Sequence, residues 1–283
     1  MTRRIVFIHG AWVTARCWDP MVEFFQARGY ECMAPAWPGK DRPVAAIRAD
    51  PSPLLGLGVG EIAAHYEQLV RGLDEPPILI GHSFGGLIAQ LLLDRGLGSA
   101  GVVLDPAPPS GVWAFEPTAF RSLASVIFTW RGWHKVVRWT PAQFFYAFVN
   151  GLPPAEQQAA YDTHVTPETG RIFFQGALAS MTSGSPCRVD FGKAKRAPLL
   201  MIAGLNDHIV PPVIVRRTYR RYASSGSPAV TALREFPGRT HWLLAQDGWQ
   251  EIAESIAAWL EAPTAFVAAP LMAGRAPGRV GKS

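Results

Sequence analysis

The 283-residue sequence predicts a doubly wound α/β domain: a mainly parallel sheet covered by helices on both faces, with a helical insertion lying over one edge. Three observations carry this prediction. Short aliphatic runs suited to buried strands alternate with longer stretches whose apolar residues recur at helical spacing. The run Ile78-Leu79-Ile80 passes through a glycine-rich break into Leu87 to Leu93, which again carries apolar residues at helical spacing. Finally, about ninety residues of helical and aromatic character interrupt the alternation between Asp105 and Leu199.

Strands are expected at Arg4 to Ile8, Tyr30 to Ala34, Ile78 to Ile80, Gly101 to Leu104, Leu199 to Ala203 and Val230 to Phe236. Helices are expected around Met21 to Arg28, Glu61 to Leu73, Leu87 to Arg95, Pro212 to Tyr222 and Trp249 to Leu260. Alternation of this kind makes the strands parallel, because each crossover helix returns the chain to the same end of the sheet. Ligands then bind beyond the carboxyl ends of the strands. The interruption is too long for a structureless loop, so residues 107–197 read as a helical cap inserted into a core made of residues 1–106 and 198–262. Residues 263–283, rich in Ala, Pro and Gly without a sustained period, are expected to form a flexible tail.

Composition narrows the function classes. Hydrophobic residues make up 48% of the chain and charged residues 17%, as in a globular protein with a sizeable core. The net charge of +5 raises the question of nucleic acid. The basic residues are scattered, however, and the one cluster, Arg216, Arg217, Arg220 and Arg221, has the spacing of a solvated helix face, so no nucleic-acid partner is expected. Three cysteines, Cys17, Cys32 and Cys187, have neither disulfide-framework nor zinc-site spacing, and a reducing, cytoplasmic location is expected. No apolar run approaches the ~20 residues of a bilayer span, so no membrane insertion is expected. The glycines of Leu55 to Gly60 follow no clear strand and do not make a dinucleotide fingerprint; no cofactor and no metal are expected. The chain is read as a monomer or homodimer.

The break at Gly81-His82-Ser83-Phe84-Gly85 carries the chemistry. Glycines on both sides of Ser83 allow a sharp strand-to-helix turn with close backbone approach, which would hold the serine at an exposed, strained apex. A serine there also suits simple helix capping. The rest of the chain favours the nucleophile reading. A serine hydroxyl needs a base within hydrogen-bonding reach and a third group to orient that base. Asp207 follows the expected strand ending at Ala203, and His241 follows the one ending at Phe236, giving the chain order Ser, Asp, His.

These residues resemble the α/β-hydrolase superfamily, whose triads follow that order around a Gly-x-Ser-x-Gly elbow. The resemblance extends over most of residues 4 to 260 and includes Phe7-Ile8-His9-Gly10-Ala11-Trp12, similar to the family's His-Gly segment after the first core strand. It implies Ser83, Asp207 and His241 as catalytic triad, and the backbone N–H groups of Ala11 and Phe84 as oxyanion hole. Ala34 to Lys40 lacks the Gly-His pair frequent after the second core strand. Asp105 also follows a strand and competes for the acid's role, but Asp207 stands in the more characteristic Gly-x-x-Asp-x-x-x-Pro setting. His9, His82 and His208 are expected to serve loop structure, and His65, His134 and His164 have no partner pattern. Trp12, Trp113, Trp130, Trp133, Phe144, Phe145 and Trp242 are the aromatic candidates for a substrate pocket.

Together these features point to a serine hydrolase acting on a small-to-medium hydrophobic ester or lactone. Thioesterase, C–C hydrolase, cofactor-free perhydrolase or haloperoxidase, and hydroxynitrile lyase chemistry stand as alternatives within the fold, and a non-catalytic ligand receptor as the alternative outside catalysis.

Overall fold

The structure is a computed structural model and describes residues 3–263; all but the first residue of the expected tail lies outside them. In chain order, β1 (Arg4–Ile8), α1 (Asp19–Gln26) and β2 (Glu31–Met33) are followed by α2 (Val44–Ala49), α3 (Val59–Arg71), β3 (Ile78–His82), α4 (Phe84–Asp94) and β4 (Ala100–Leu104). Next come α5 (Pro117–Ile127), β5 (Val136–Val137), α6 (Pro141–Ala147), α7 (Pro154–His164), β6 (Glu168–Thr169) and α8 (Arg171–Ala177). The chain then returns to β7 (Leu199–Gly204), α9 (Pro212–Ala223), β8 (Thr231–Phe236) and α10 (Gln250–Glu261).

Six strands form one parallel sheet in the order β2-β1-β3-β4-β7-β8. Its middle strands are buried on both faces, which explains the continuous apolar runs of β3, β4 and β7. On one face α1 meets α10 through the Arg28–Glu254 ion pair and the Phe24–Trp249 ring contact. On the other, α4 packs against α3 and is tied to α9 by Tyr222 and Gln90. Every residue of α4 from Phe84 to Leu93 is buried, so this helix lies under other elements along its length.

All six strands and five helices expected of the core are present, with ends shifted by a few residues. The six-residue α2 was not anticipated; it lies between Pro43 and Pro51 and is too short to display a period. The segment between β4 and β7 holds four helices and the two-stranded antiparallel pair β5–β6. Its α6 starts at a capping box, in which Thr140 Oγ1 accepts from the Gln143 N–H and the Gln143 side chain accepts from the Thr140 N–H. The arginine cluster lies on α9, where Arg216 pairs with Glu235 and Arg217 with Glu116.

The order of the sheet reverses at β1, with β2 added on one side and every later strand on the other. The loops that leave the carboxyl ends of β1 and β3 therefore part in opposite directions, the condition for a ligand crevice in an open α/β sheet. At that point α4 crosses β3 almost backbone to backbone. A Cβ placed on Gly85 would stand 2.1 Å from the Ile8 carbonyl oxygen, and one on Gly81 would stand 2.2 Å from that of Gly85. Gly85→Ala should therefore destabilise the fold by at least the ~1–3 kcal/mol of ordinary overpacking, because backbone cannot yield as a side chain does. By contrast, a Cβ on Gly60 in α3 would meet only Pro186 at 3.8 Å, and Gly60→Ala should be neutral or stabilise by up to about 1 kcal/mol. Urea unfolding of the two variants checks the contrast; equal stabilities would refute it.

Candidate active site

Ser83 occupies the apex between β3 and α4 with φ +56° and ψ −123°, a conformation that residues with a Cβ rarely adopt. Such a backbone costs of order 1–3 kcal/mol and persists only where its surroundings hold it. Here the Ser83 N–H donates to the Leu104 carbonyl at 3.0 Å, and the Ser83 carbonyl accepts from the N–H groups of Gly86, Leu87 and Ala107. Among the described residues, four without a glycine's freedom have positive φ. Three of them, Trp12, Ser83 and Asp105, stand just beyond the carboxyl ends of β1, β3 and β4, so backbone strain is concentrated at one rim of the sheet.

Asp207 and His241 come to the same rim from the loops after β7 and β8. Asp207 Oδ2 lies 2.5 Å from His241 Nδ1, with both side chains fully buried. The other carboxylate oxygen, Oδ1, accepts from the N–H groups of Ile209 at 2.7 Å and Val210 at 2.9 Å, which fixes the orientation of the carboxylate. With Nδ1 donating to Asp207, the lone pair of a neutral imidazole resides on Nε2. Nε2 is buried and makes no hydrogen bond, so the Ser83 hydroxyl is not bonded to it in this structure. The elbow and the loop after β8 are nevertheless tied one residue from Ser83: His82 Nε2 bonds the His241 carbonyl at 2.8 Å, and the two rings lie 4.6 Å apart. Phe148 stands perpendicular to the His241 ring, also at 4.6 Å.

The loop after β1 lies directly against Ser83, since a Cβ on Gly10 would be 2.7 Å from Ser83 Cβ. The N–H groups of Ala11 and Phe84 have no acceptor within the described protein. His9 accepts from the Trp37 N–H at Nε2 (3.1 Å), which makes Nδ1 the donor to the Gly10 carbonyl (2.8 Å). Burial, with the charge of Lys40, pushes the His9 pKa down to about 3, so that ring is a neutral structural element. Burial likewise pushes His82 well below the usual histidine range, the nearby His241 adding to the shift. His208 bonds the Tyr146 carbonyl through Nδ1 at 2.8 Å, and its ring lies tilted against that of Tyr146 at 4.7 Å.

A cavity of 320 Å³ opens above Ser83. Ser83 and Phe84 line it together with Trp12 and Ile209 from the core, and the segment between β4 and β7 supplies Trp113, Phe115, Phe120, Phe173, Phe174 and Met181. The only hydroxyl side chains on its wall are those of Ser83 and Ser180. Of the seven aromatic candidates, Trp12 and Trp113 are on this wall and five are not. Phe144 is fully buried in a stack with Phe148, Trp242 packs between Phe148 and His164, and Phe145 edges Tyr161. The apolar face of α6 is thus spent on packing against its neighbours. Trp130 is 80% exposed outside the cavity, and Trp133 stands behind the wall, against Phe174. An open depression of 480 Å³ bounded by Asp94, Arg188, Asp190 and Arg221 lies away from this rim and holds no nucleophile.

The parallel sheet and the elbow at its switch point define an α/β-hydrolase architecture. The profile of the alpha/beta hydrolase family matches residues 5–255, and the chain belongs to that family. No curated protein sequence matches significantly. Among solved structures, the chain is similar to a pyrethroid hydrolase from Sphingobium faniae JZ-2, with 19% identity, 94% of this chain and 100% of that chain covered, and a TM-score of 0.63. It is also similar to the monoacylglycerol lipase of Paleococcus ferrophilus (19% identity, 92% and 95% covered, TM-score 0.63). A tomato methylketone synthase I variant complexed with beta-ketoheptanoate is similar at 14% identity (92% and 97% covered, TM-score 0.61). At these identities the likeness is one of fold.

Asp105 adds a second carboxyl that the sequence offered only as a competitor for the acid's place. It is fully buried; Oδ1 accepts from the Gly204 N–H at 2.8 Å, and Oδ2 has no hydrogen-bond partner. Carboxylate oxygens of Asp105 and Asp207 and a ring nitrogen of His241 lie within 4.8 Å of one another. Burial first, and then the negative charge of Asp207, hold the Asp105 carboxyl well above the usual range. The folded protein therefore keeps this proton to higher pH than the unfolded chain. The resulting contribution to stability is complete below about pH 3.9, the unfolded-chain value, and is lost as pH rises towards the raised folded value. Asp105→Asn removes this titration, so wild-type protein should lose stability relative to the variant as pH rises above about 4. Urea unfolding across that range provides the test; parallel curves would mean that Asp105 is ionised in the fold.

Proposed function

We propose that the protein is a serine hydrolase that cleaves a carboxylic ester or lactone of a small-to-medium hydrophobic substrate through an acyl-enzyme. The observation that carries the reading is the buried Asp207–His241 pair, which leaves Nε2 unpartnered in a loop tied to His82, the residue before the strained serine that lines an apolar cavity. His241 takes the Ser83 proton as the serine oxygen attacks the carbonyl carbon, and Asp207 orients the imidazole and stabilises its charged form. A small reorientation of the Ser83 hydroxyl or the imidazole on substrate binding completes the hydrogen bond between them, as is common when a free site takes its substrate. The Ala11 and Phe84 N–H groups receive the developing oxyanion. His241 then protonates the leaving alcohol, and water attacks the acyl-enzyme by the same route.

In this reading residues 107–197 form the cap over a core of residues 1–106 and 198–262, and the cap sets substrate shape. A nearly all-apolar wall orients a ligand through burial and shape, and leaves polar recognition to the reacting carbonyl. The cytoplasm suits the three cysteines, which stand as free thiols. Among the described residues no helix is long and apolar enough to cross a membrane.

The experiment pairs fluorophosphonate labelling with release of p-nitrophenol from esters of graded chain length. Wild-type protein should label at Ser83 and turn over apolar acyl chains. Ser83→Ala should abolish labelling and lower kcat by about 10⁴-fold or more without a change in Tm. Labelling without hydrolysis of any ester, lactone or thioester would instead make the protein a ligand receptor, and unchanged turnover in Ser83→Ala would end the proposal.

A further inference from the structure

Lys40 and Glu168 form an ion pair at 2.5 Å with both side chains fully buried, 128 residues apart in sequence and outside the triad. Lys40 follows β2, and Glu168 lies on β6 in the segment between β4 and β7. A buried pair of this kind commonly gives no net stability over an apolar pair of the same volume, because desolvation cancels the attraction. Its contacts point to another role.

Glu168 Oε2 accepts from the Trp12 N–H at 3.1 Å as well as from Lys40, and Oε1 accepts from the N–H of Thr169. Lys40 Nζ donates in addition to the Val13 carbonyl at 3.1 Å and to Thr166 Oγ1 at 3.2 Å. The Thr166 N–H donates to the Trp12 carbonyl at 2.8 Å. The Trp12 ring is stacked between Trp139, at 3.4 Å, and Phe173, at 4.2 Å. Trp12, at φ +61°, directly follows Ala11.

The consequence follows from peptide planarity. In a trans peptide the C=O and N–H point in opposite directions, so fixing one fixes the other. His9 Nδ1 holds the Gly10 carbonyl, which aims the Ala11 N–H the opposite way. Glu168 holds the next plane at the Trp12 N–H, Thr166 the next at the Trp12 carbonyl, and Lys40 the next at the Val13 carbonyl. Four consecutive peptide planes are pinned, and residues of the β4–β7 segment or the lysine they bind hold three of them.

We propose that Lys40 and Glu168 are positioning residues for the oxyanion hole: through them the cap fixes the backbone at residues 11–13, so the cap acts on turnover as well as on substrate binding. The proposal rests on the serine-hydrolase reading. A preorganised donor stabilises charge in the transition state and does little for the ground state. Loosening this loop therefore affects kcat more than KM.

The test compares two double variants. Lys40→Met with Glu168→Leu removes both charges and the acceptor for Trp12; Lys40→Met with Glu168→Gln removes the charges and keeps an amide oxygen for it. The first readout is the bimolecular rate with a fluorophosphonate, in which the Ser83 oxygen bonds phosphorus, fluoride leaves and the hydroxyl proton passes to His241. The second is kcat and KM for a p-nitrophenyl ester, and the third is the Kd of phenylboronic acid, a tetrahedral mimic. The Leu variant should lose roughly 10- to 100-fold in fluorophosphonate rate and kcat, with weaker boronic acid binding and KM changed less than about 3-fold. The Gln variant should recover most of the loss. If the Leu variant does not fold, Trp139→Leu and Phe148→Leu together decide, because Trp139 stacks on Trp12 and also edges Phe148: a several-fold fall in both rate and boronic acid affinity in Trp139→Leu that exceeds the fall in Phe148→Leu supports the proposal. Wild-type rates in the folded Leu variant, or in Trp139→Leu where that is the variant tested, overturn it, as does a loss confined to KM. Wild-type protein that does not react with the fluorophosphonate removes the hydrolase reading and this inference with it. Reactive wild type with an equally reactive variant removes this inference alone.

Discussion

The near-contact of the β3 and α4 backbones is the constraint on which the site depends. With a Cβ on Gly81 only 2.2 Å from the Gly85 carbonyl oxygen, the helix must start within one residue of the strand's end. The residue between them is Ser83, at φ +56°. The strain is held by four backbone hydrogen bonds from three directions, so the serine has one place to be. The same crossing sets α4 deep in the molecule and brings the loop after β1 against the serine. Ser83 and its nearest backbone donors are thereby placed by packing, before any side chain chooses a rotamer.

Around this fixed point the sheet order distributes the remaining groups. The loops of β1 and β3 part at the switch point, whereas β4, β7 and β8 are successive neighbours and deliver Asp105, Asp207 and His241 side by side. Two carboxyls so close and so deeply buried cannot both carry charge without large cost. Burial first, and then the charge of Asp207, hold the Asp105 carboxyl well above the usual range, which favours its neutral form. Asp207, with two backbone N–H groups on its other oxygen, is the better solvated of the two by the protein itself.

What the sequence disclosed and what it withheld divide along range. The strands of the core and the loops bearing Ser83, Asp207 and His241 were legible because each is a local pattern: an aliphatic run followed by a turn with its polar residue at a set offset. The cavity was only partly legible. Trp12 and Trp113 line it, but Phe115, Phe120, Phe173 and Phe174 look no different in sequence from Phe144 or Trp242, which are spent on packing around Phe148. Which face an aromatic presents depends on how short helices stack, and that information is not periodic. The Lys40–Glu168 pair gave no signal for the same reason, since nothing local marks two charges 128 residues apart as partners.

The cavity and the loop beneath it share an element, and this couples two properties that are usually treated apart. Phe173 forms part of the apolar wall and also stacks on Trp12, whose N–H is held by Glu168 and whose neighbour, Ala11, carries a free N–H. In the proposed ester hydrolysis, a substrate that moves Phe173 therefore pushes on the ring whose backbone neighbours the reacting carbonyl. Because the wall offers so few polar groups, ligand fit is expressed almost wholly through such ring contacts. Under that proposal, shape complementarity at the wall becomes alignment at the carbonyl, and a poorly shaped ligand is penalised in the rate of the chemical step as well as in affinity.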